Sequence, residues 1–319
     1  MNRWCVVVCA ALLGAAAQGA DPVTLEGHTG GVNAVNFSPV GQYLAGGGGD
    51  RSGTGWDVAA RRSRTLGNHV MSIVAVAYAP DGTALVSVAG DQTRGEVKMW
   101  EAATGAVRWG TDKGLAGAND VAVSPDGKLV AVAAGGARVA KILSAATGRE
   151  LGELVGHEGQ VLSVKFSPDG KTIATGGSDG TVRLWATETQ TQSAAVTWGL
   201  PGPKAAFVVA FTPDGKTVAA GCDDGRVQFW DARTANPLAE LVAHRAPISG
   251  LVFSPDGKSL ATAGFRDPAR EGKTWGSEWF TPTAALTGHK DFISGLAFSP
   301  RGDRIATASA DGTIKLWQP

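Results

Sequence analysis

The segment "GHEGQVLSVKFSPDGKTIATGGSDGTVRLW", residues 156–185, sets a histidine, a glutamate and two aspartates among alternating apolar residues. Such a grouping fits either a fragment of a catalytic site or the fixed points of a structural unit. The rest of the chain decides between them. Copies of its central phrase recur as "FSPVG", "YAPDG", "VSPDG", "FSPDG", "FTPDG", "FSPDG" and "FSPRG", with prolines at Pro39, Pro80, Pro125, Pro168, Pro213, Pro255 and Pro300. The intervals run from 41 to 45 residues. A period in the low forties, punctuated by turn and strand signals, marks a propeller or a solenoid.

Two positions before the prolines stand Phe37, Tyr78, Val123, Phe166, Phe211, Phe253 and Phe298, each closing a first strand that runs into the turn. Five positions after them, Leu44, Leu85, Val130, Ile173, Val218, Leu260 and Ile305 open a second strand. A third strand ends in tryptophan, as in "DGTVRLW" at Trp185 and "DGTIKLW" at Trp317, and a less regular fourth leads into the next copy. Four short strands form a sheet too small to bury both faces alone. Neighbouring copies must therefore stack.

On these features residues 22–319 resemble a WD40-repeat protein. The signature consists of the pairs Gly27-His28, Gly156-His157 and Gly288-His289, the Pro-Asp-Gly turn, and an Asp-Gly turn leading to tryptophan; a literal Trp-Asp survives at Trp56-Asp57 and Trp230-Asp231. The resemblance implies an all-β fold, a seven-bladed β-propeller of four-stranded antiparallel blades. It also implies a hydrogen-bonded network of histidine, hydroxyl, aspartate and tryptophan. Matching residues are complete in two blades, as His157, Thr175, Asp179 and Trp185, and as His289, Thr307, Asp311 and Trp317. The first blade keeps His28, Asp50 and Trp56 but has Gly46 in place of the hydroxyl, and the third has Gly114, Val132, Ala137 and Leu143 at the four places. The last copy stops after its third strand, and "PVTLEG" from Pro22 is expected to supply the fourth.

The repeat answers the opening question. All five histidines, His28, His69, His157, His244 and His289, lie 11 residues before a repeat proline, so none is left for catalysis or metal binding. Asp169 reads as a turn residue and Glu158 as a solvated neighbour. The run "GGGGD" at 46–50 has no P-loop lysine and aligns with a strand and its turn.

With 29 basic and 29 acidic residues and no run of like charge, the chain lacks the electrostatic footprint of a nucleic-acid or anionic-lipid binder. Residues 1–20 read as a signal peptide: Arg3, then the apolar "CVVVCAALLGAAA", then small residues at Ala17, Gly19 and Ala20. The apolar run falls short of the ~20 residues that span a bilayer. The expected location is secreted or periplasmic. The mature chain would keep Cys222 alone, as a small buried residue without a disulfide partner.

Insertions single out three loops on the end of the ring that carries the histidines, the end formed by the d–a and b–c loops. They are "AGDQTRGEV" in blade 2, "TWGLPGPKAAF" before blade 5 and "AGFRDPAREGK" in blade 6. Aromatic and arginine side chains dominate interface energetics. The candidate protein-binding site accordingly has Phe265, Arg266 and Trp198 at its centre and Arg94, Lys204 and Arg270 at its rim, with Asp91, Asp267 and Glu271 close enough to neutralise them. The expected function is an exported scaffold that binds a protein or peptide, without cofactor, metal or nucleic acid. Alternatives are a propeller enzyme of lyase or lactonase type, and a structural subunit of a larger assembly.

Overall fold

The computed structural model describes residues 6–8, 21–197, 205–276 and 280–319. The chain forms seven sheets arranged as a closed ring, each with four antiparallel strands. Blade 4 is representative: Val161–Phe166 lines the channel, Thr172–Gly177 and Thr181–Ala186 follow outward, and Gln192–Thr197 forms the rim. The seventh blade takes Ile293–Phe298, Ile305–Ser309 and Ile314–Trp317 from one end of the repeat array and Val23–Leu25 from the other. The pairing Val23 to Leu316, Thr24 to Lys315 and Leu25 to Ile314 is the closure anticipated from "PVTLEG". No helix among the described residues is long and apolar enough to cross a membrane. The signal-peptide reading falls mostly outside the described residues. Of that segment, the backbone of Val6–Val8 runs parallel to Pro237–Val242 on the outer edge of blade 5.

The repeated phrase earns its residues at the first turn. Ser167 donates through its hydroxyl to Asp169 at 2.6 Å, and the same carboxylate accepts the Lys171 amide at 3.0 Å. Gly170 then turns the chain with φ at 71°, a conformation that glycine adopts without steric cost. Asp169 is therefore a turn residue. Each turn glycine also faces the proline of the preceding blade: a Cβ on Gly41, Gly82, Gly127, Gly170, Gly215, Gly257 or Gly302 would stand 3.2–3.8 Å from the ring of Pro300, Pro39, Pro80, Pro125, Pro168, Pro213 or Pro255 respectively. One Pro-to-Gly joint is thus used at every blade boundary.

The core is divided the same way. Seven apolar clusters form, each across one boundary between neighbouring blades. Second strands supply fully buried small residues, such as Ala131 and Ala133 beneath Trp185, and this lets the sheets approach closely. At the channel, polar side chains on the inner strands reach to the next blade. Asn33 donates to the Ile73 carbonyl at 2.8 Å, Asn119 to that of Val161 at 2.9 Å and Ser249 to that of Ile293 at 2.7 Å. Ser294 donates to Val32 across the closure itself.

Candidate functional site

At one end of the ring the histidines are buried and held. His157 Nδ1 lies 3.0 Å from Asp179 and its Nε2 lies 2.8 Å from the Thr175 hydroxyl, to which Trp185 Nε1 also donates at 2.9 Å. The carboxylate can only accept, so Nδ1 carries the proton and Nε2 accepts from Thr175. His289, Thr307, Asp311 and Trp317 repeat the arrangement, with 2.9 Å between His289 and Asp311, 2.7 Å between His289 and Thr307 and 2.9 Å from Trp317 to Thr307. The Glu158 and Lys290 amides donate to the same aspartates, which ties each loop to its sheet.

Two further blades complete the network, so the expected two become four. In blade 6, His244 binds Asp267 at 3.0 Å and Thr262 at 2.9 Å, and Trp275 donates to Thr262 at 2.9 Å. In blade 2, His69 meets Glu96 and Ser87, both at 2.7 Å, and Trp100 donates to Ser87 at 2.6 Å. The insertions in these second turns carry the acid out of its usual register, one position later in blade 6 and onto the third strand in blade 2. A fixed spacing count misses both. The hydroxyls of Ser87 and Thr262, seven residues after their prolines, were the available signal. Blade 1 shows what Gly46 costs: Trp56 Nε1 turns to the Glu26 carbonyl at 2.8 Å, and His28 Nε2 is buried without a partner. In blade 3, the amine of Lys141 lies beside Gly114, where the histidine would be, and pairs with Glu150 at 2.7 Å and Glu153 at 2.9 Å.

Burial holds His69, His157 and His289 below the ordinary imidazole range, against the pull of their acidic partners. Burial pushes Asp179 and Asp311 up, but hydrogen bonds from Thr181 and Thr313, the histidines and loop amides outweigh it and hold each at about 2. Both shifts are depressions. Each contribution to stability is therefore complete above the unfolded-state value and lost as pH falls through the folded one. Urea midpoints should be level above about pH 7, decline below about pH 6.5 as the histidines charge, and fall steeply between about pH 4 and 2 as the aspartates protonate. A midpoint that rises on acidification from pH 7 to 5 would contradict neutral, structural histidines.

The thiol of Cys222 is buried and donates to Asp224, and burial with that contact pushes it up to about 12. Cys222, Asp223 and Asp224 have ligand atoms within 4.8 Å of one another.

The exposed side chains on this end divide as follows. Phe265 is 40% exposed, makes a T-shaped contact with Phe292 at 4.8 Å between ring centres, and carries the Arg266 guanidinium 5.2 Å from its own ring centre. Arg270 donates to the Lys290 carbonyl at 2.7 Å. Asp267, taken as a possible neutraliser of this loop, instead points inward and is 7% exposed on His244. Arg94 pairs with Asp91 at 3.2 Å on blade 2, three blades around the ring from blade 6. Trp198 and Lys204 lie outside the described residues.

Sequence reasoning passed over Phe292, which extends the aromatic surface onto blade 7, and Arg51 and Arg138. These two arginines occupy the second-turn position held by Gly180, Gly225 and Gly312 in blades 4, 5 and 7. All three glycines have positive φ, and so do Arg51 at 71°, Arg138 at 59°, Arg266 at 53° and Arg270 at 52°. A side chain in that conformation costs roughly 1 kcal/mol relative to glycine. All four arginines are exposed.

The fold and its networks define a propeller of repeated WD units. The WD domain, G-beta repeat, family profile matches residues 21–57, 148–186, 198–231, 235–267 and 280–318, more than half of the chain, and the protein belongs to this family. The matches fall on blades 1, 4, 5, 6 and 7, while blades 2 and 3 are recognised by their geometry. Over 175 residues the chain is 28% identical to the serine-threonine kinase receptor-associated protein of Gallus gallus, covering 53% of this chain and 46% of that protein. It is 30% identical over 169 residues to cell division cycle 20.1, cofactor of APC complex, of Arabidopsis thaliana, covering 51% and 37%. It is 31% identical over 175 residues to small ribosomal subunit protein RACK1y of Oryza sativa subsp. japonica, covering 52% and 51%. The chain thus spans about half the length, or less, of these relatives.

Proposed function

We propose that the ring is a non-enzymatic scaffold, exported on the strength of its first twenty residues, that holds an acidic protein or peptide on the end carrying the histidines. The observation that carries this reading is the placement of Arg51 and Arg138 in left-handed backbone where sister blades have glycine, with Arg266 and Arg270 in the same conformation in the blade 6 loop. Strain retained at exposed positions points to a use outside folding. With Arg94 and Lys290 these residues span blades 6, 7, 1, 2 and 3, and Phe265 with Phe292 supplies an aromatic anchor in the same sector. Two relatives carry names that describe association, a receptor-associated protein and a cofactor of a complex.

The arginines allow binding and folding to be separated. Replacing Arg51, Arg138 and Arg266 together with glycine should leave stability unchanged or raise it by up to about 1 kcal/mol per site. The same variant should lose partner captured from the exported fraction by at least tenfold and show a shallower dependence on salt. Equal capture by the variant, or loss only on Lys128, Lys171 and Lys216 of the opposite end, would refute the site. A captured chain that still begins at Met1 would refute export.

A further inference from the structure

The boundary between blades 1 and 2 differs from the other six. Its apolar cluster takes a single buried residue from blade 1, Ala45. The reason lies in the residue before the closing tryptophan position, which is Met99, Ile142, Leu184, Phe229, Thr274 or Leu316 in the other blades and Gly55 in blade 1. The boundary of blades 2 and 3 has a cavity of about 720 Å³, with Met99 and Arg108 on its walls; Gly55 lines one of about 550 Å³ at the boundary of blades 1 and 2. Its walls include Leu66 and Trp56, and Val40 at its edge is 69% exposed. The chain has two tyrosines, Tyr43 and Tyr78, and both line this cavity. Tyr78 stands where five blades have phenylalanine and one has valine. Two departures from the repeat, Gly55 and Tyr78, therefore converge on one space, and Tyr43 joins them there.

We propose that this cavity is a binding site for a small uncharged molecule with an aromatic body and a carbonyl acceptor. Its volume is that of a small-molecule site, and its walls are chiefly apolar with a few polar tips, the composition such sites have. Arg62 and Arg64 on the wall are balanced by Asp57 and Asp81, so a net charge on the ligand gains nothing. The two acids are occupied by turns: Asp57 accepts the Ala60 amide at 2.8 Å, and Asp81 accepts the Thr83 amide at 2.9 Å. The donors remain. Arg64 is held in place by the Ala102 and Ala103 carbonyls and has further N–H groups to spare. Burial pushes the Tyr78 phenol up to about 12, so it keeps its proton and can donate at neutral pH. The cavity opens among the first turns, at Pro39 and at Asp81-Gly82, on the end opposite the histidines. It is independent of the protein-binding reading above.

The two tyrosines provide their own test. Protein labelled with meta-fluorotyrosine has two fluorine NMR resonances, one on each side of the cavity. Acetophenone should shift both saturably, with a dissociation constant of about 1 mM for a molecule this small, while benzoate and benzylamine should bind at least tenfold more weakly. Gly55→Leu, which installs the residue of blade 4, should abolish the shift. Tyr78→Phe, which installs the residue of five sister blades, should weaken binding about fivefold with Tyr43 as the reporter. It guards against a Gly55→Leu protein that does not fold. The absence of a saturable shift in the parent protein overturns the proposal. So does unchanged binding in Tyr78→Phe, an equal shift in folded Gly55→Leu, or preference for either charged probe.

Discussion

Deletion of residues 22–26 is expected to lower the stability of the ring by roughly 3 kcal/mol and to make its unfolding depend on protein concentration. Leu25 is 2% exposed in the cluster that joins blades 7 and 1, and burial of a leucine contributes about 1.5–3 kcal/mol. The deletion also removes the Glu26 carbonyl that Trp56 Nε1 donates to, adding about 1 kcal/mol for a buried donor left without its acceptor. What remains is Ile314–Trp317 as an open edge, a template for pairing with a second chain. Urea melts at two concentrations, with light scattering, provide the measurement. Leu25→Ala should show most of the stability loss without the concentration dependence, because its backbone still covers the edge. Identical midpoints for the deleted and parent proteins would mean the blade closes by another route.

Thr175→Val should cost about 2–4 kcal/mol, a large effect for an exchange that barely changes shape. Thr175 is fully buried and serves two partners, accepting from Trp185 Nε1 and donating to His157 Nε2. Valine leaves both nitrogens buried and unpaired. Thr175→Ser should fall within about 1 kcal/mol of the parent, because Ser87 performs the same two tasks in blade 2. Equal losses for valine and serine would trace the effect to packing and remove the network from the account of stability.

The blade count, the strand order within a blade, the closure and the hydrogen-bond partners of His157 and His289 were all legible from the residues. Each rests on a local signal repeated in register, so that errors in one copy are corrected by the others. The networks of blades 2 and 6 were not legible, because Glu96 and Asp267 reach their histidines from shifted positions that insertions create. Asp267 is the sharper case. Its place in a polar loop beside two arginines suggested a surface charge, and only the path of the loop turns it inward onto His244. For the proposed binding face, the sequence pointed to Phe265, Arg266, Trp198, Arg94, Lys204 and Arg270, but not to Phe292, whose contact spans two blades, nor to the strain at Arg51 and Arg138, because backbone angles are not written in residue identity. The cavity beside Gly55 was invisible for a related reason. A space between blades appears only where neither blade fills it.

The joint between blades, proline on one side and turn glycine on the other, is directional. Every blade offers a different surface to each neighbour, so the contact is of the head-to-tail kind, which gives a closed ring if the rotation per blade sums to a full circle and a growing filament if it does not. Nothing in the joint itself counts to seven. A molecule whose last blade fails to close carries complementary ends, and the end of one copy fits the beginning of another as well as its own. Failure of closure would therefore yield ordered end-to-end chains of propellers in place of amorphous precipitate, and the three residue pairs between Val23–Leu25 and Ile314–Trp317, with the apolar cluster and the Ser294 to Val32 hydrogen bond that join blades 7 and 1, keep this repeat protein finite.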